Sequence, residues 1–423
     1  MNYKELPAEQ RKALLNQLQG DYAVFKARGL KLDMSRGKPC KEQLDLSMGL
    51  LDGGLISQNA KDETGFDLRN YGVPYGIPEC RALFGELLEL PAENILVFGN
   101  SSLNIMFDLI CQYWTHGTGG SAKPWSQQRA VKFLCPVPGY DRHFAILEHF
   151  GIEMLQVPMR DDGPDVKLLE ELVADPAVKG MFCVPKYANP TGITYSDEVV
   201  RAIAALSPAA GDFRVIWDNA YCVHDVREGG EKLLNIFDEA EKHGHSKYFI
   251  EVTSTSKISF PGAGVSVLAA SAENLAAIKT RLAVQTIGHD KLNQLRHVRY
   301  FKDAAGVLAH MQKHKAILEP KFDAVLSTLE GTLSGLGIAK WTNPKGGYFI
   351  SLDVMEGCAK RVGELCKEAG VVLTPSGATY PKGFDPKDSN IRIAPTLPPI
   401  EELETAAKLL CLCVKIAALE KLV

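Results

Sequence analysis

Tyr248-Phe249-Ile250-Glu251-Val252-Thr253-Ser254-Thr255-Ser256-Lys257 is the stretch on which the reading of this chain turns. Tyr248 to Val252 is a strand-like run, rich in aromatic and β-branched residues. It leads straight into hydroxyls and a lysine. Two earlier runs end in the same way. Gly180-Met181-Phe182-Cys183-Val184 precedes Asn189-Pro190-Thr191-Gly192, and Arg214-Val215-Ile216-Trp217 precedes Asp218-Asn219-Ala220-Tyr221. Further upstream, Ile95 to Phe98 and Val131 to Cys135 read as strands, followed by helices over Ser102–Tyr113 and Asp141–Phe150. From about Leu55 to Val298 short apolar strands alternate with helical runs, which predicts a mostly parallel sheet covered by helices. Ligands of such sheets sit beyond the carboxyl ends of the strands, where the polar motifs of this chain fall.

An asparagine, then an aspartate with a tyrosine three residues on, then a lysine after a serine, is the layout of an aldehyde cofactor site of the pyridoxal phosphate (PLP) kind. Lysine can form a Schiff base with an aldehyde. A buried aspartate can hold a pyridine nitrogen protonated, so that the ring withdraws electrons. Tyrosine and asparagine can hydrogen-bond the ring oxygen. On these residues the chain resembles the fold-type I PLP enzymes of the class I/II aminotransferase group. It is most similar to a divergent branch of the aspartate aminotransferases. The likeness runs from about Leu32 to Pro395.

The resemblance implies an α/β fold: a large domain with a mostly parallel, seven-stranded sheet flanked by helices, and a smaller α+β domain. Residues 54–298 would form the large, PLP-binding domain. Residues 1–53 and 299–423 would form the small one, made discontinuous because the N-terminal helix folds back onto it. Asn293–Leu329 reads as one long or two broken helices, Gly346–Leu352 and Ile391–Ala394 as strands, and Ile400–Leu422 as a C-terminal helix.

The same resemblance assigns roles. Lys257 carries the Schiff base and later moves a proton on the substrate. Asp218 partners the pyridinium nitrogen, and Tyr221 and Asn189 contact the phenolic oxygen. Tyr140, in Pro136-Val137-Pro138-Gly139-Tyr140, stacks on the ring. The phosphate falls where Phe98-Gly99-Asn100-Ser101-Ser102 passes from strand to helix, since a helix N-terminus favours an anion. Asn100, Ser101 and Ser102 are the donors among which the sequence does not choose, with Ser254 as a further ligand. Tyr71 matches a tyrosine that reaches the phosphate of a neighbouring subunit, which implies a homodimer with shared active sites. Arg392 binds the substrate α-carboxylate, and Gly37, beside Arg36, belongs to a loop packed near it. A second substrate carboxylate needs another cation, for which Arg36, Lys38 and Arg142 are the candidates.

One position departs from the family pattern. An arginine for the phosphate is expected shortly after the lysine, yet Pro261-Gly262-Ala263-Gly264-Val265 places Gly264 there. Another cation, or hydroxyls and backbone amides, must then neutralise the phosphate.

The chain has 423 residues, 46% of them hydrophobic and 23% charged, with a net charge of −4, ordinary values for a globular protein large enough for two domains. The basic residues are scattered, which argues against a nucleic-acid surface. No apolar run reaches the roughly 20 residues of a membrane helix, and the start of the chain lacks the apolar segment of a signal peptide. Ten cysteines without a framework fit free thiols in a reducing cytoplasm. Ten histidines show no metal-ligand spacing.

The activity so implied is ping-pong transfer of an amino group from an amino acid, aspartate first among donors, to a 2-oxo acid, 2-oxoglutarate first among acceptors. A PLP lyase or decarboxylase could use the same residues, because fold does not fix reaction type. A transcription regulator that borrowed this fold would need a basic recognition helix, which the N-terminal residues lack. A nicotinamide enzyme would need GxGxxG, which Gly262-Ala263-Gly264 does not extend to.

Overall fold

The strand Phe249–Ser254 lies inside an eight-stranded sheet. The spatial order is Ile95–Val97, Ser266–Ala270, Phe249–Ser254, Arg214–Asp218, Val178–Cys183, Lys132–Val137, Glu153–Arg160 and Gly163–Pro164. The five strands from Phe249–Ser254 to Glu153–Arg160 are mutually parallel, and Ser266–Ala270 runs against them. The computed structural model describes residues 2–120 and 122–423. Seven strands were expected; the eighth, Gly163–Pro164, is a two-residue antiparallel addition at one edge.

The central strands are buried throughout and mostly apolar because helices cover both faces. Alternate residues point to opposite sides. Ile216, Ile250 and Val252 therefore pack into one core with Phe133 and Phe182. Val215, Trp217 and Phe249 pack into another with Met181 and Phe84.

A second layer is built from a three-stranded antiparallel sheet, Ala339–Trp341, Ile350–Val354 and Asn390–Ile393. The helices Ala8–Ala27, Ala304–Leu333 and Ile400–Leu422 share its core, in which Phe322, Leu329, Ile350, Leu410 and Ile416 are buried. The N-terminal helix thus does pack against the C-terminal one, with Leu18 as its buried contact.

The two-helix reading of Asn293–Leu329 is the one observed: Lys291–Phe301 and Ala304–Leu333. Lys302, at φ 73°, breaks the path, and Asp303 Oδ1 caps the next helix by accepting from Gly306 N at 2.8 Å. The domain boundary expected at 298 lies within the first of these helices. The strand expected from Gly346 begins only at Ile350. Gly346 lies against the Tyr187 ring, which a Cβ would meet at 2.2 Å, and Gly347 takes φ 81°, so this stretch is a close crossing and not a strand. Of the loop expected over His116–Ser126, Ser121 lies outside the described residues, as does Met1 at the start of the small domain. No helix among the described residues is long and apolar enough to cross a membrane.

Phe322 is fully buried where the long helix meets the second layer. Phe322→Ala is expected to lower the unfolding midpoint by the equivalent of roughly 3–5 kcal/mol, measured by chemical denaturation. A loss below about 1 kcal/mol would show that the helix is not held by this core.

Candidate active site

Three neighbouring parallel strands deliver their polar ends to one cavity of about 650 Å³. Val178–Cys183 leads to Asn189, Arg214–Asp218 ends on Asp218, and Phe249–Ser254 runs into the helical turn Thr255–Lys257. Arg392 enters from the opposite wall, on the strand Asn390–Ile393.

Asp218 is buried, and its Oδ2 lies 2.9 Å from His143 Nε2. Its Oδ1 is buried with no hydrogen-bond partner among the described residues. A buried carboxylate oxygen left unpaired is costly unless a cation or donor meets it. His143 is held flat against Phe182, with ring centroids 4.3 Å apart and planes 12° from parallel. The Tyr140 ring packs edge-on against the same imidazole, at 4.9 Å.

Lys257 Nζ sits 4.9 Å from the centre of the Tyr221 ring and 5.7 Å from that of Tyr348. Desolvation lowers its pKa from the ordinary lysine value, while the charge of Asp218 opposes the shift. More of the amine is therefore in the neutral, nucleophilic form. Burial holds the Tyr221 phenol well above its usual pKa, so it stays protonated and can donate.

The Arg392 guanidinium is held on several sides. Its Nη1 donates to Asp141 Oδ1 at 3.0 Å and to Asn189 Oδ1 at 3.2 Å, its Nε donates to Thr374 Oγ1 at 3.4 Å, and it lies 4.9 Å from the Phe349 ring centre. Gly37 is needed beside it, because a Cβ there would stand 2.5 Å from the tip of the Phe349 ring. Arg36 and Arg142 line the cavity, whereas Lys38 does not.

Ser101, Ser102, Ser254 and Ser256 form a hydroxyl wall at the start of the helix Ser102–His116. Asn100 is not part of that wall: its Nδ2 donates to Pro261 O at 2.9 Å and ties the loop to the turn after Lys257. Ser256, which the sequence reading passed over, lines the cavity in its stead and donates to Asn100 O at 3.1 Å. Gly264 has no room for a side chain, since a Cβ would lie 2.8 Å from Thr255 Oγ1 and 3.0 Å from Phe260 O. Tyr71 does not reach the cavity of its own chain and is 77% exposed.

Sequence reasoning missed His143 and Asp141, both on the helix Asp141–His149 after Tyr140. His143 lies three residues past Tyr140, the spacing of side chains on one helix face. That spacing was the available signal for His143, though it names no partner.

The residues fit PLP. An amine suits its aldehyde, an unpaired buried carboxylate oxygen suits its basic ring nitrogen, and hydroxyls at a helix start suit its phosphate. The fold and this site define a PLP-dependent aminotransferase of fold type I. The chain belongs to the aspartate amino-transferase family, whose model matches residues 6–423. It is 49% identical over 397 residues to an aspartate aminotransferase of Corynebacterium glutamicum, covering 94% of this chain and 91% of that one. A crystal structure of an aspartate transaminase from the same organism superposes with a TM-score of 0.97, at 46% identity, over 100% of both chains. The α-aminoadipate aminotransferase LysN of Thermus thermophilus, solved with N-(5'-phosphopyridoxyl)-L-leucine, shares the fold, with a TM-score of 0.74 at 20% identity over 94% of this chain and 96% of that one.

Gly264→Arg, which restores the family residue, is expected to destabilise the protein by about 1–3 kcal/mol through overpacking without tightening cofactor binding. Thermal denaturation and PLP titration check this; a variant as stable as the parent with tighter PLP binding would contradict it.

Proposed function

We propose that the enzyme moves an amino group from aspartate to 2-oxoglutarate, and that PLP binds in the cavity around Lys257. The unpaired Oδ1 of Asp218 is the observation that carries the cofactor reading. The C. glutamicum relatives support the choice of aspartate. Bound there, PLP supplies a reversible carrier for the amino group and a ring that withdraws electrons.

The residues act as follows. Asp218 presents Oδ1 to the ring nitrogen and keeps it protonated, because His143 occupies Oδ2. Lys257 Nζ would anchor PLP through its aldehyde and give way to the substrate amine. Its pKa, lowered by burial, then suits the free amine to carry a proton between the substrate α-carbon and C4′ of the cofactor. Tyr221, protonated, would donate to the phenolic oxygen, and Asn189, on the same cavity wall, would be its second partner. Tyr140 covers the ring. Ser101, Ser102, Ser254 and Ser256 take the phosphate at the helix start, hydroxyls and amides doing the work of the absent arginine.

Arg392 receives the α-carboxylate, for which its fork geometry is suited. Arg36 and Arg142, the cavity's other arginines, are proposed for the second carboxylate of a dicarboxylic substrate. A second copy of the chain completes the site by bringing in Tyr71. Exposed apolar residues support that interface: Val284 is 90% and Ile287 63% exposed, on a segment whose Gly288 abuts Gly72. Residues 54–298 and 1–53 with 299–423 are proposed as the two domains, supported by the packing of Phe322, Ile350 and Leu410 in one core and of Phe133, Trp217 and Phe249 in others. Ten free cysteines fit a reducing cytoplasm.

The purified holoenzyme mixed with aspartate alone should lose the visible band of the lysine-bound aldehyde and gain that of pyridoxamine phosphate. 2-Oxoglutarate should reverse the change. A spectrum indifferent to aspartate but responsive to another amino acid would overturn the substrate, and a protein that shows no band after PLP is added would overturn the site. Separately, Arg392→Ala should lower kcat/KM for the donor about 30-fold or more, the loss for truncating one partner of a buried ionic contact. A change below about threefold would remove Arg392 from the substrate site.

A further inference from the structure

The large sheet carries a second cavity, of about 510 Å³, on the face away from Lys257. Small-molecule sites span roughly 300–1,000 Å³. Successive side chains at the end of the strand Arg214–Asp218 point to opposite faces. Asp218 therefore lines the catalytic cavity, while Trp217 and Asn219 line the second one. Glu251, the register partner of Trp217 on the next strand, lies in the same wall.

Glu251 is 5% exposed. Its carboxyl accepts one hydrogen bond among the described residues, from Asn219 Nδ2 at 2.8 Å. Asn219 is itself 7% exposed, and its Oδ1 is buried with no partner among the described residues. Asn219 Oδ1 is thus an unmet buried acceptor beside the Glu251 carboxyl, and such an acceptor is costly.

Lys186, on the cavity wall, does not answer them. Lys186 Nζ donates to Cys222 O at 2.9 Å and lies 3.4 Å from Asp225 Oδ1. The remaining charged groups of the lining are Glu89, Glu231 and Lys232, so the cavity holds four carboxyl groups against two ammonium groups. Burial, opposed by the Asn219 hydrogen bond, pushes the Glu251 carboxyl up to about 7. A glutamine would fill the same space and keep the same hydrogen bond, so neither packing nor the Asn219 contact calls for an acid here.

We propose that this cavity binds a small molecule through a primary ammonium group, which donates to Glu251 and to Asn219 Oδ1. An ammonium supplies three donors and a positive charge, the two things this wall lacks. The cavity is distinct from the catalytic one and independent of the substrate assigned there.

The carboxylate is the binding form of Glu251, and a bound cation favours it, so affinity rises as pH rises through about 7. The holoenzyme is titrated by calorimetry with ammonium chloride and with ethanolamine, against potassium chloride, at about pH 6 and about pH 8. Binding is expected to be about tenfold tighter at the higher pH, the ratio of ionised carboxyl across a pKa near 7. Glu251→Gln is expected to abolish it while leaving the visible cofactor band unchanged, and that band reports the catalytic site separately. Binding of ammonium chloride identifies the ion as sufficient, and binding of ethanolamine alone identifies an organic amine; either supports the site. Equal affinity at the two pH values, affinity retained in Glu251→Gln, or no binding of either amine overturns it. Should the variant fail to fold, the pH ratio of the parent protein decides.

Discussion

The catalytic site depends on one constraint: a buried carboxylate, Asp218, has one oxygen tied down and the other left open. His143 takes Oδ2, and none of the described residues takes Oδ1. A buried charge is tolerated only when it is met, so this arrangement is stable only with a donor facing it. The imidazole that fixes the carboxylate is itself fixed by stacking on Phe182, whose position is set by the strand Val178–Cys183 in the middle of the sheet. Apolar packing on one face of the sheet thereby sets the direction of a charge at its edge.

Parallel strands make the rest possible. Because they share a direction, their carboxyl ends meet on one side, and Asn189, Asp218 and Lys257 converge from distant positions in sequence. Arg392 closes the cavity from the other layer. Its bonds to Asn189 and Asp141 tie that layer to the large sheet.

Much of this was legible in the sequence. The strand runs before Asn189, Asp218 and Lys257 carried a clear apolar pattern, and the polar residues after them fell where the fold puts ligands. The C-terminal helix Ile400–Leu422 matched its observed span because its apolar residues keep a helical spacing throughout. Side-chain direction was less legible. Asn100 reads as a phosphate donor from its place before a helix, but its amide is spent on Pro261 O. His143 gave no sign of its partner, because the contact spans 75 positions. Gly346-Gly347 looked like the start of a strand, since nothing local discloses the Tyr187 ring packed against it. Gly264 was visible as a departure, but the crowding by Thr255 and Phe260 that excludes a side chain is tertiary. What the sequence withheld in each case is a contact between residues far apart, or the direction of one side chain.

The most direct test of the central claim is the ¹⁵N chemical shift of the ring nitrogen in holoenzyme loaded with ¹⁵N-labelled PLP. A protonated pyridinium held by Asp218 is expected at neutral pH, with its loss in Asp218→Asn. A neutral pyridine nitrogen in the parent protein would contradict it.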